Sequence, residues 1–319
     1  MSPIGGFLPL ELAPGGERYH AQAAALTSGR ACWHVVLRTC RPSRVHLPFY
    51  VCDAVLQPLR ATATPFAFYR IDQLFRPDPD DEAAAGELML VVNYFGILTD
   101  TVEALAGQRR DRLVVDDTQA FFRRGTPEAW SFNSARKFFG VPDGAFLYGP
   151  ASGVDRLPPS ASGDCDHLLA RLAGDDQTAW EQFKAHEARI DVEPRAMSPV
   201  SARLLAAADM VRACCRRRVN FAALHRRLGS MNTIPLSDQM GHDGPMCYPF
   251  LPDHDVDRPA LHRLGVFVPV FWPEVHDRPE AGFDRERLLA RRLLPLPIDH
   301  RYGSDDMTRV ADAVVQVLR

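Results

Sequence analysis

Lysine is nearly missing from this chain of 319 residues: 35 of its 37 basic side chains are arginine, and only Lys137 and Lys184 carry an ammonium group. Long apolar runs are missing too. Nothing approaches the ~20 residues that span a bilayer, and Met1-Ser-Pro-Ile-Gly-Gly has no basic stretch ahead of an apolar one, so neither a membrane span nor a leader is expected. A net charge of −3 lacks the one-signed excess that draws nucleic acid or anionic lipid, and neither partner is expected. The seven cysteines are odd in number and include no CxxC, which argues against a disulfide framework and for reduced thiols in the cytoplasm. No GxGxxG or GxxxxGKS/T motif offers a dinucleotide or triphosphate loop. His186-Glu187 lacks a second histidine four residues on, and Asp253-His254-Asp255-Val256-Asp257 reads as a solvated acidic loop, so no metal is expected.

What is present is an ordinary globular composition, 46% apolar and 24% charged, long enough for a large domain with a smaller companion. Short β-type runs at Val45 to Phe49, Leu88 to Asn93, Leu113 to Asp116 and Ala145 to Tyr148 alternate with helical patterns. That rhythm predicts an α/β fold, a mostly parallel central sheet flanked by helices, over residues 1–172. One helix follows Ser28-Gly29, and another follows Asp100, with Glu103 completing a capping box and Gly107 as the stop. Pro77 to Gly86 and Val154 to Gly163 read as loops. Residues 173–319 predict interdomain helices at about 176–190 and 199–229, then a small α+β domain. Its strands are expected at Met246 to Leu251, Val266 to Trp272 and Leu293 to Ile298, with a last helix capped by Ser304. The arginines at 216, 217, 218, 226 and 227 read as a solvated helix face.

The scarcity of lysine sharpens the question of what each one does. Arginine stays protonated and cannot act as an amine nucleophile, whereas a desolvated lysine can form an imine with an aldehyde. Lys137 lies in Ser134-Ala135-Arg136-Lys137-Phe138-Phe139-Gly140, where the phenylalanines are expected to desolvate the amine and Ser134 and Arg136 to reach a phosphate. An exposed loop lysine is the plainer alternative. Leu113 to Asp116 is an apolar strand ending in a carboxylate, the position where open α/β sheets bind ligands. Pyridoxal chemistry needs such a carboxylate opposite the ring nitrogen. Asp116 is favoured over Asp117 because it directly ends the strand and sets Gln119 three residues on; a plain capping Asp is the alternative. Ser28-Gly29-Arg30 opens a helix whose free amides suit a phosphate, or serves only as an N-cap. Aromatic residues follow two strand ends, at Pro48 to Cys52 and Asn93 to Gly96. Tyr50 is the candidate to stack on a ring, with core packing the alternative.

Taken in order, Ser28 to Ala31, Pro48 to Cys52, Asn93 to Gly96, Val115 to Ala120 and Ser134 to Gly144 resemble the fold-type-I pyridoxal-phosphate enzymes, specifically the DegT-type aminotransferases that act on nucleotide-linked keto sugars. The likeness extends to Ile4-Gly5-Gly6-Phe7 and to Leu296 through Tyr302. It implies pyridoxal 5'-phosphate as cofactor, Lys137 as the Schiff-base residue, and cofactor contacts from Ser28, Gly29, Arg30, Tyr50, Asn93, Asp116, Gln119 and Ser134. It further implies glutamate as amino donor, a keto substrate, and a homodimer with shared active sites. Arg301 is the candidate for the substrate carboxylate, because a planar guanidinium gives bidentate recognition. Where the family carries Asn-x-Arg-Met, this chain has Glu193-Pro194-Arg195-Ala196-Met197. A non-catalytic protein on the same fold, with an assembly or regulatory role, is the second reading. Sugar dehydratases of this fold replace the lysine with histidine, so Lys137 argues against them.

Overall fold

The computed structural model describes residues 10–318 apart from 14, 79–82, 110, 151–153, 161–163 and 238–239. Ile4-Gly5-Gly6-Phe7 lies outside these residues, as do parts of the two expected loops. The first half builds one sheet of seven strands: β1 (Ala24–Leu26), β2 (Val45–Pro48), β3 (Phe66–Tyr69), β4 (Leu88–Val92), β5 (Leu113–Asp117), β6 (Trp130–Asn133) and β7 (Ala145–Tyr148). Their order is β1-β7-β6-β5-β4-β2-β3, parallel from β6 through β3 and antiparallel where β7 meets β6 and β1. A parallel sheet must bury both faces, which is why β4 and β5 are buried along their whole length.

Alternation then sorts the side chains. Leu88, Leu90, Val114 and Phe132 join one apolar cluster with the helix α1 (Gly29–Cys40), while Met89, Val91, Leu113 and Val115 join another on the opposite face. The second cluster continues without a break into the C-terminal part, taking in Leu224, Tyr248, Leu294 and Val314. The remaining helices are α2 (Leu56–Ala61), α3 (Thr99–Gln108), α4 (Asp166–Leu172), α5 (Asp176–Arg189), α6 (Pro199–Ala207), α7 (Met210–Leu228), α8 (Arg258–Arg263), α9 (Asp284–Arg292) and α10 (Ser304–Val317). Strands β8 (Cys247–Phe250) and β9 (Leu294–Pro297) form a separate antiparallel pair.

Several sequence expectations are corrected. The helix expected over 199–229 is broken, because Ala208 turns extended and Asp209 caps a new helix, its Oδ1 accepting from the Arg212 amide at 2.9 Å. Asp100 is not a cap: α3 already starts at Thr99, and the Leu98 amide donates instead to Asn93 Oδ1 at 3.0 Å. The cap of α10 is Gly303, with Ser304 as its first helical residue. Val266 to Trp272 forms no strand and joins no ladder, and it ends in a left-handed backbone at Trp272. Within the basic run, Arg217 is buried. It donates to the carbonyls of Pro245 (3.2 Å) and Met246 (3.1 Å) and sits 4.6 Å over the Phe138 ring.

Candidate active site

Strand alternation decides which carboxylate reaches the ligand edge of the sheet. Asp116 follows Val114 on the α1 face, and Asp117 follows Val115 on the other. Asp116 accordingly lines a cavity between the ends of β5 and β6 and the start of α1, which it shares with Ser28, Gly29, Arg30, Ser134 and Lys137. Asp117 faces away, accepting from Arg123 Nη1 at 2.6 Å and from Asn93 Nδ2 at 3.1 Å.

Each lining group has a local cause. The Ser28 hydroxyl caps α1 by accepting from the Ala31 amide at 3.1 Å, which leaves the amides of Gly29 and Arg30, at the positive end of the helix, for a ligand. A Cβ at Gly29 would come within 3.1 Å of Thr118 Cγ2, so a larger residue there would press on the Thr118 side chain. The Asp116 Oδ1 accepts from the Thr118 amide at 2.8 Å. Burial raises the pKa of Asp116, and the Lys137 ammonium opposes that rise. Lys137 follows Ser134 through a short turn (Ala135–Lys137), and its Nζ lies 3.5 Å from Thr118 Oγ1. The expectation that Phe138 and Phe139 desolvate this amine is not met. Lys137 is exposed, Phe138 is buried against Phe121 and Phe122, and Phe139 turns towards His300.

Not every sequence candidate reaches the cavity. Tyr50, Asn93 and Gln119 are fully buried and absent from its lining. Tyr50 packs on Tyr94 at 5.9 Å, Asn93 organises the turn into α3, and Gln119 Oε1 accepts from the Phe95 amide at 2.7 Å. Arg301 is bound in fork geometry by Asp299, at 2.7 and 3.0 Å, and lines a different cavity with Trp180 and Phe267. Arg195 pairs with Asp191 at 3.0 Å.

Several lining residues were not singled out from sequence for this site, among them Thr118, Cys52, Trp33 and Trp272. Thr118 was within reach, sitting between Asp116 and Gln119. Burial raises the Cys52 thiol pKa, with the Lys137 charge opposing. Two buried donors in the lining, Trp33 Nε1 and Arg136 Nε, have no hydrogen-bond partner. Arg136 is also ion-paired to Glu187, while Arg30 Nη1 donates to the Ile190 carbonyl at 2.7 Å. Burial, then repulsion from Arg30, lowers the Arg136 pKa to about 10. Two unpaired buried donors, one of them on the Arg136 guanidinium, beside Arg30 and a helix N-terminus fit the phosphate of pyridoxal phosphate, and an amine and a carboxylate lining the same cavity fit its aldehyde and ring nitrogen.

No protein-family model and no curated protein matches the chain. Solved structures do. The sugar aminotransferase CalS13 of Micromonospora echinospora superposes with a TM-score of 0.68 at 16% identity, over 94% of this chain and 88% of that one. A DegT DnrJ EryC1 StrS aminotransferase of Brucella abortus gives 0.65 at 14%, over 92% and 85%. S. venezuelae DesV, solved with a ketimine intermediate, gives 0.64 at 19%, over 92% and 84%. By its sheet order, its helical layers and these superpositions, the chain has the fold-type-I pyridoxal-phosphate transferase fold in the form taken by the DegT-type sugar aminotransferases.

Proposed function

We propose that this protein is a pyridoxal 5'-phosphate-dependent aminotransferase that moves an amino group, with glutamate as donor, onto a keto substrate of the nucleotide-linked sugar class. The observation that carries the reading is the meeting of Lys137, one of only two lysines, with buried Asp116 and the α1 N-terminus around one cavity. The cofactor, when bound, supplies an aldehyde that condenses with amines and a ring that accepts an electron pair. The protein's part follows from its own groups. The amides of Gly29 and Arg30, the Ser134 hydroxyl and the Arg136 guanidinium hold the phosphate. The Asp116 carboxylate keeps the ring nitrogen protonated, an attraction strengthened by its burial. The Nζ of Lys137 is the amine that would hold the cofactor by its aldehyde and, when free, the one acid–base group that would move a proton between a substrate carbon and the cofactor in each half of the transfer. In this reading residues 1–172 bind the cofactor and 173–319 close over it.

The reading includes a homodimer in the cytoplasm, where the free thiols, Cys52 in the cavity among them, stay reduced. Leu172 and Trp180, 85% and 56% exposed on α4 and α5, support a partner surface there. Protein purified with pyridoxal phosphate is expected to be yellow and to bleach with glutamate. Colour indifferent to every amine would leave a binding protein without transfer activity, and no colour would remove the reading. A Lys137→Arg variant keeps the charge and is expected to stay colourless.

A further inference from the structure

One wall of the cavity comes from the far end of the chain. Trp272 lines it, although the residue lies 135 positions beyond Lys137 and belongs to no strand or helix. Its backbone is left-handed, at φ 58° and ψ 60°, a conformation that a bulky aromatic adopts only when its surroundings impose it, and one that gathers at ligand clamps. Those surroundings are visible. The Trp272 ring meets Tyr50 edge-on at 4.6 Å and leans on Tyr94 at 6.0 Å. Two residues later, Glu274 Oε1 accepts from the Asp53 amide at 2.9 Å. Arg278 Nη2 donates to the Val51 carbonyl at 2.7 Å and to Asp53 Oδ1 at 2.6 Å. The stretch 272–278 is thus bolted to the loop that supplies the lining residues Val51, Cys52, Ala54 and Val55. None of those four is aromatic, and Tyr50 is spent in the core beneath them.

We propose that Trp272 is the residue that stacks on the flat ring of the bound cofactor, the task the sequence assigned to Tyr50. The inference rests on the pyridoxal-phosphate reading above. An indole presents a large, electron-rich face to a pyridinium ring, so offset stacking and cation–π attraction act together. Because Trp272 rises from the C-terminal part, the same contact links cofactor binding to the segment gripping residues 51–53.

The test compares the parent with Trp272→Ala, Trp272→Phe and Tyr50→Phe by titration with pyridoxal phosphate, followed by visible absorbance, circular dichroism of the bound cofactor and tryptophan fluorescence. Trp272→Ala is expected to weaken binding about tenfold, and Trp272→Phe by no more than about threefold. The share of the fluorescence quenching that Trp272 supplies should vanish in Trp272→Phe, leaving that of Trp33 in the same cavity, while Tyr50→Phe should keep the parent's cofactor dichroism. Thermal melting checks that each variant is folded, and if Trp272→Ala does not fold, the lost quenching in Trp272→Phe still decides. Parent-like binding and quenching in both Trp272 variants would overturn the inference alone. Failure of the parent to bind would overturn the functional reading and the inference with it.

Discussion

Two adjacent aspartates show how one residue step changes a role. Asp116 opens onto the cavity and Asp117 onto a buried pair with Arg123, because the pleat sends them to opposite faces of the sheet. Asp116→Asn keeps the shape and removes the charge. It is expected to cut transfer activity about 10²-fold or more while the fold stays intact, which steady-state kinetics beside a melting curve would check. Asp117→Asn should do the reverse: leaving buried Arg123 poorly partnered costs about 1–3 kcal/mol in denaturant unfolding, with cofactor binding kept. His20 adds a pH signature. It is fully buried between Tyr148 and Asn133, and desolvation lowers its pKa to about 3. The unfolded chain protonates this imidazole below about 6.5 and the folded one does not, so its share of stability is whole above that pH and is lost as pH falls towards 3. Burial raises the Asp117 pKa to about 6, which acts in the opposite direction over the upper part of that window. His20→Gln should therefore flatten the acid side of the stability curve by about 2–3 kcal/mol at pH 4.5 relative to the parent.

At the level of elements, α1 joins folding to binding. Ser28→Ala removes the cap and should cost about 1 kcal/mol in stability, and it should also weaken phosphate competition for the cofactor site, measurable by titration with inorganic phosphate. Where β7 ends, Gly149 has φ 133° and a Cβ there would lie 2.3 Å from the Trp130 ring, so Gly149→Ala should lower Tm markedly or prevent folding. Elements written in the side-chain pattern were legible in advance. The apolar runs of β4 and β5, the Ser-Gly start of α1 and the last helix, α10, all appear where the sequence put them. Among the short strands, β1, β3 and β6 were not read from the sequence while the equally short β2 and β7 were, because three or four residues carry little periodicity either way. The run ending at Trp272 looks like a strand because its residue types suit one, but a strand exists only with a partner. The site divides the same way. Lys137, Asp116 and the α1 turn each follow a strand or open a helix and could be read locally. Trp272 arrives by tertiary packing, which no local spacing encodes, and Arg301 is held by Asp299 two residues away, on a cavity other than the one that Lys137 lines.

For the whole molecule, the exposed apolar faces of α4 and α5 predict a particle of twice 35.6 kDa in light scattering, and Leu172→Asp with Trp180→Asp should shift it towards the monomer. A monomeric parent would remove that part of the proposal. The central claim is chemical and can be read without a substrate. Treating the protein with pyridoxal phosphate and borohydride, then mapping peptides by mass, should find the reduced pyridoxyl group on Lys137. Label on Lys184, which lies 5.7 Å from the exposed Trp180 ring, or no label at all, would contradict the account.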